Sequence, residues 1–214
     1  MVSETSESPD FQIPRLPLDK SRRRTMELFI DCAIEVFGRD GYRAARMEDI
    51  ADLAGKSRTT LYTYFRGRNE LVLAIRHRLR PESYQIYERL ARLPELTHEE
   101  VRRWVGDVAD FFQRRRVEFA ISMEALSEPA LHDSLQADLE ESVSVLQATM
   151  AAARRPGSAP TTARVQILLS QLLYTMHLVK IQQVFADPDA VMDELAAVWL
   201  AELLDSASPR STQG

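Results

Sequence analysis

Between Leu18 and Arg80 the chain contains no proline, and apolar residues return every three or four positions. Met26, Phe29, Ile30, Ala33, Ile34 and Phe37 form one such series, which predicts a helix ended by Gly38 or Gly41. Later prolines, at 81, 94, 129, 156, 160, 188 and 209, punctuate further helical stretches. Pro81 is expected to break or kink the helix that begins near Arg68, and so to act as a hinge. Thr97-His98-Glu99-Glu100 is a capping-box pattern ahead of Trp104, Val108, Phe111 and Phe112. Ser127, before Glu128 and Pro129, is expected to start another helix, and Asp187-Pro188 to cap the last one. No stretch alternates with period two, so the expected fold class is all-α with no sheet.

The segment from about 161 to 186 is apolar on two sides. Val165, Leu168, Leu169, Leu172, Leu173, Met176 and Val179 form one stripe, and Ile167, Tyr174, Leu178, Ile181 and Phe185 a second. A surface helix needs one buried stripe. The last helix shows a similar excess, with Val191, Leu195 and Val198 beside Met192, Trp199, Leu200, Leu203 and Leu204. Two arrangements satisfy this pattern: a homodimer built on these helices, or one helix at the centre of a monomeric bundle. The dimer is the expectation taken forward, with Leu169, Leu172, Met176, Val198 and Trp199 as contacts.

Residues 47–65 parse differently, as a short helix, a tight turn and a second short helix. Ile50, Leu53 and Ala54 form the inner face of the first, Gly55 makes the turn, and Ser57 caps the second. Leu61 and Phe65, four apart, bury the second helix's inner face. Lys56, Arg58, Thr59, Thr60, Tyr62 and Thr63 then point outward, none of them acidic. Hydrogen-bonding side chains of this kind suit the major groove of duplex DNA.

Charge distribution changes how the overall balance is read. The net charge of the 214 residues is −5, against a polyanionic partner. Residues 20–80, however, hold 14 basic and 8 acidic side chains, whereas residues 81–214 hold 12 basic and 20 acidic ones. A basic module thus precedes an acidic body. One cysteine, Cys32, excludes an internal disulfide framework and reads as buried and inert. Residues 1–20 are polar and acidic, unlike a secretory signal, and the most apolar run, 167–179, is too interrupted for a membrane span. The expected location is cytoplasmic, without a membrane partner.

The first helix, Gly41-Tyr42, Ile50-Ala51, Ala54-Gly55, Ser57, Thr60-Leu61-Tyr62, Tyr64-Phe65 and Glu70-Leu71 together resemble the DNA-binding domain of the TetR family of transcriptional regulators. The match covers about residues 24–75. It implies a helix-turn-helix domain at 20–66 and a helical ligand-binding and dimerisation domain at 67–206, with disordered tails at 1–19 and 207–214. It also implies that residues 57–64 form the recognition helix, that Tyr62 and Tyr64 reach phosphates, and that Arg68 meets a phosphate. Arg22, Arg23 and Arg24 would add backbone or minor-groove contacts. The DNA-contact set is Arg24, Arg46, Lys56, Ser57, Arg58, Thr59, Thr60, Tyr62, Tyr64 and Arg68. Four positions depart from the family's usual residues: Lys56 for a small apolar residue, Thr59 for a small one, Arg46 for a capping threonine, and Gly67 for a capping serine.

For the remainder, the resemblance implies an unidentified small-molecule effector held between the middle helices. Trp104, Phe111, Phe119, Met123, Tyr174 and His177 are the candidates, each equally readable as core. Arg114, Arg115 and Arg116 read as a solvated face. His77, His98, His132 and His177 form no metal motif, and no cofactor fingerprint or nucleophile elbow occurs. The expected function is a non-enzymatic, dimeric repressor of an inverted-repeat operator on double-stranded DNA, released by its effector, with no cofactor or metal. An all-helical enzyme would show clustered polar catalytic groups, and an architectural DNA-binding protein would be basic throughout; neither pattern is present.

Overall fold

A computed structural model describes residues 19–153 and 159–204. The tail expectations lie outside these residues, apart from Asp19. Among the described residues there are nine α-helices and no strand. They are α1 (Lys20–Asp40), α2 (Met47–Leu53), α3 (Arg58–Tyr64), α4 (Arg68–Leu90), α5 (His98–Arg114), α6 (Arg116–Ala125), α7 (His132–Ala153), α8 (Thr162–Met176) and α9 (Pro188–Leu204). The described chain divides into two compact units: residues 19–79 with 117–138, and residues 80–116 with 139–204.

The ends of the helices show why the sequence stops and starts them there. Asp19 caps α1 by accepting the Arg22 N–H at 2.8 Å. Gly41 ends α1 at φ +82°, where its own N–H closes onto the Phe37 carbonyl. Of the two glycines expected to end this helix, Gly41 does so. Thr97 caps α5 and Asp187 caps α9 as expected, accepting N–H bonds from Glu100 and Ala190 at 3.3 and 3.0 Å.

Three expectations need correction. Pro81 lies inside α4, which continues to Leu90; the helix is not broken there. Ser127 caps no helix. Its hydroxyl donates to the Glu124 carbonyl, and a short 3₁₀ turn (Pro129–Leu131) leads into α7. The apolar helix expected at 161–186 ends its α-helical part at Met176. It widens to a π turn (His177–Gln182) and closes with Gln183 in the left-handed region at φ 54°.

The first unit has a continuous core that joins Phe29, Ile30, Ala33, Val36 and Phe37 of α1 to Ile50, Ala51, Leu61 and Phe65, and to Leu71, Val72 and Ile75 of α4. Ile121, Ala125, Leu131 and Leu135 belong to the same core. Helices α1 to α3 are too few to bury a core of their own. The missing cover comes from the first half of α4 and from a segment some forty residues further on.

In the second unit, α5 buries Val101, Trp104, Val105, Val108, Ala109, Phe111 and Phe112 along one side and turns arginines and carboxylates outward. It packs along α9, where Trp199 meets Trp104 with ring centroids 4.9 Å apart. Trp104 Nε1–H donates to the Ile86 carbonyl at 2.8 Å. Arg114 and Arg115, read as a solvated face, both pair with Glu82.

Candidate nucleic-acid interface

Helix α3 is seven residues long, too short to be stable alone, so its orientation is imposed by neighbours. Gly55 makes the turn ahead of it at φ +61°, a conformation that costs a side-chain-bearing residue about 1 kcal/mol. Ser57 Oγ accepts the Thr60 N–H at 3.1 Å and starts the helix. Leu61 is fully buried and Phe65 is 3% exposed, and these two side chains seat α3 on the core.

The opposite face is open. Lys56, Ser57, Arg58, Thr59 and Tyr62 are exposed, and Thr60 is half-buried. Thr63 is exposed too, though its hydroxyl donates back to the Thr60 carbonyl. Arg24 is exposed on α1, one turn into the helix. The two tyrosines differ. Tyr62 stands outward, 44% exposed, whereas the Tyr64 ring is half-buried against Phe29 at 5.6 Å.

Arg68 is committed inward. Its Nη1 donates to the carbonyls of Tyr42, at 3.1 Å, and of Arg43, and its guanidinium lies 5.4 Å above the Tyr42 ring. Tyr42 in turn donates its hydroxyl to Asn69 Oδ1 at 2.5 Å. This side chain braces the connection between α1 and α2 through Nη1, which leaves Nε and Nη2 for the expected phosphate contact. Sequence reading missed it because both acceptors are backbone carbonyls 25 and 26 residues away.

Arg46 precedes α2 and gives it no side-chain cap. Its side chain is 70% exposed and 3.6 Å from Glu48. Glu48 also pairs with Arg58. An acidic group thus stands beside an edge whose own outward residues carry none. Its carboxyl is held below the ordinary range, first by its own backbone N–H and then by the two arginines. If Arg46 meets a phosphate, Arg46→Ala reduces the slope of log K against log salt by about 0.9. An unchanged slope in a salt titration would remove that role.

In the second unit, Trp104 and Phe111 are core, Tyr174 is 56% exposed, and His177 is buried with its ring stacked on Tyr174 at 6.4 Å. Phe119 and Met123 belong to α6 in the first unit, so the six candidate effector residues do not form one group within either unit. Two donors in the second unit stand out: His177 Nδ1 and Trp199 Nε1 are buried with no hydrogen-bond partner. Burial holds the His177 imidazole below its ordinary pKa of 6.5. The unfolded chain therefore takes up this proton before the folded one, and stability falls as pH drops below about 6.5. We predict a lower melting temperature at pH 5.5 than at pH 7.5, with a smaller drop for His177→Gln. Equal drops would show that His177 does not carry this dependence.

Of the residues expected as dimer contacts, Leu169, Leu172, Met176 and Trp199 are fully buried within the single chain, and Val198 is exposed, at 38%. The first apolar stripe packs on the chain's own core. The second stripe is the outward one, with Ile167 and Tyr174 exposed and Leu178 and Ile181 half-buried.

No helix of the described residues is long and apolar enough to cross a membrane, and among them no cluster of three or more His, Cys, Asp or Glu side chains is placed to hold a metal ion. Residues 29–75 match the family model of the bacterial regulatory proteins of the tetR family. The HTH-type transcriptional activator FasR of Mycolicibacterium smegmatis is 44% identical over 64 residues, 30% of this chain. That match spans only 27% of the relative's length. Among solved structures, the fatty acid degradation regulator FadR from Bacillus halodurans aligns with a TM-score of 0.66 at 17% identity, over 82% of this chain and 94% of its own. The transcriptional regulator FadR from Bacillus subtilis, in complex with stearoyl-CoA, gives 0.65 at 15% identity, over 82% and 98%. Residues 29–75 thus carry the DNA-binding domain of the tetR family of bacterial regulatory proteins, and the fold of the chain is similar to that of solved TetR-like regulators.

Proposed function

We propose that the chain is a sequence-specific DNA-binding transcriptional regulator that meets an inverted-repeat operator as a homodimer and is switched by a small molecule. The observation that carries this reading is α3: a short helix seated by Leu61 and Phe65, with Arg58, Thr59 and Tyr62 turned outward. A helix-turn-helix of this kind inserts the start of its second helix into the major groove. Selection from a random DNA pool tests it. A two-fold symmetric consensus is expected, with affinity that falls steeply with salt. Failure to enrich any sequence would end the reading.

Dimerisation is supported by the outward stripe on α8, where Ile167 and Tyr174 lie seven residues apart on one face, and by Val198 on α9. Two recognition helices at a fixed separation meet half-sites about one helical turn apart. An effector that prefers one separation shifts DNA affinity by its differential affinity for the two states, and by no more. Release of a repressor is the direction proposed here; the FasR relative, 44% identical over 64 residues, is an activator.

The effector proposed is mainly apolar with a hydrogen-bond acceptor, of the acyl-thioester class held by the Bacillus subtilis relative. The unpartnered donors His177 Nδ1 and Trp199 Nε1 support an acceptor in the second unit. Trp104 and Trp199 are the chain's only tryptophans and lie against each other. Titration with stearoyl-CoA should therefore change the intrinsic fluorescence and weaken operator binding together. No change in either would exclude this class.

A further inference from the structure

Glu48 sits in the first turn of α2 with a quarter of its side chain exposed. One carboxylate oxygen contacts Arg58 Nη2 and the other lies 3.6 Å from Arg46 Nε. Both arginines remain well exposed, at 60% and 70%. Ion pairs this open contribute little to stability. The first turn of α2 also has a second carboxylate, Asp49, for its dipole. Facing a polyanion, a carboxylate at this place works against binding. Its use must lie in what it does to Arg58.

Arginine presents five N–H donors in one plane. A free guanidinium takes whichever phosphate is near, which gives affinity without sequence information. One held by a carboxylate through Nη2 has its plane set and its remaining donors directed outward. Bidentate contact to O6 and N7 of guanine needs two such coplanar donors. We infer that Glu48 is a specificity-determining residue of the DNA edge: it fixes the Arg58 guanidinium to read a guanine, and it cancels the charge that Arg58 would otherwise offer to any phosphate. The inference rests on the DNA-binding reading above.

The test compares Glu48→Gln with the unaltered chain on two duplexes of equal length, the one enriched from a random pool and a random-sequence one. Glu48→Gln should bind random DNA more tightly, with the slope of log K against log salt steeper by about 0.9. Its preference for the enriched duplex over random DNA should fall by about tenfold, with the loss confined to one guanine per half-site. In an Arg58→Lys background, which lacks the planar fork, Glu48→Gln should leave base preference unchanged. Glu48→Asp keeps the charge but withdraws it by one methylene, and it should lose the same guanine preference. Equal changes on both duplexes, or the same loss of preference with lysine at position 58, would overturn the inference. If the unaltered chain itself does not distinguish the two duplexes, the DNA-binding reading fails instead.

Discussion

Leu61→Ala should unseat the recognition helix. Leu61 is fully buried and is the only buried residue within α3, with Phe65 just beyond its end. Removing a buried leucine side chain down to its β-carbon costs roughly 2–5 kcal/mol. Domains of this size have about 5–15 kcal/mol in total, so a large share of the unit's stability is lost. Because α3 is too short to persist unaided, the loss falls on the DNA edge first. Urea denaturation should show the drop in midpoint, and operator affinity should fall with it. Thr59→Ala is the contrasting variant. Thr59 is exposed, so its stability should stay within about 0.5 kcal/mol, while DNA binding weakens. If Leu61→Ala left both stability and DNA affinity intact, the seating of α3 would be wrong.

Trp104→Ala should be the most damaging single change in the second unit. The indole is 1% exposed, packs on Trp199 and donates to the Ile86 carbonyl. Truncating a core tryptophan costs roughly 3–5 kcal/mol. Part of that is the lost indole hydrogen bond to the Ile86 carbonyl, at about 0.5–1.5 kcal/mol. Trp104→Phe separates the two contributions, because it keeps a ring against Trp199 and removes only the N–H and some area. Thermal melts should rank the native chain above Trp104→Phe and that above Trp104→Ala. If the two variants melt together, the hydrogen bond rather than the ring area dominates.

Local chemistry was readable from the sequence wherever a few neighbouring residues decide it. Ser57, Thr97 and Asp187 cap the helices they precede, Gly41 and Gly55 take the turns, and Leu61 and Phe65 point inward. Features set by distant partners were not readable. Arg68 looks free in sequence, yet its Nη1 donates to the carbonyls of Tyr42 and Arg43. Glu48 lies ten residues before Arg58 and looks like an ordinary first-turn carboxylate until the turn folds the two together. The two apolar stripes of α8 were visible, but which one faces the chain's own core depends on α5 and α9. Periodicity alone cannot assign it; in the folded chain Leu169, Leu172 and Met176 are buried, and Ile167 and Tyr174 are exposed. Pro81 shows the same limit from the other direction, since α4 continues through a residue that locally breaks helices.

Amide hydrogen exchange of the full chain, with and without its selected duplex at low salt, tests the central claim most directly. The claim predicts slowed exchange from Lys56 through Phe65 on DNA binding. Contradiction would be tight, sequence-selective DNA binding that leaves the α3 amides exchanging as they do in the free protein.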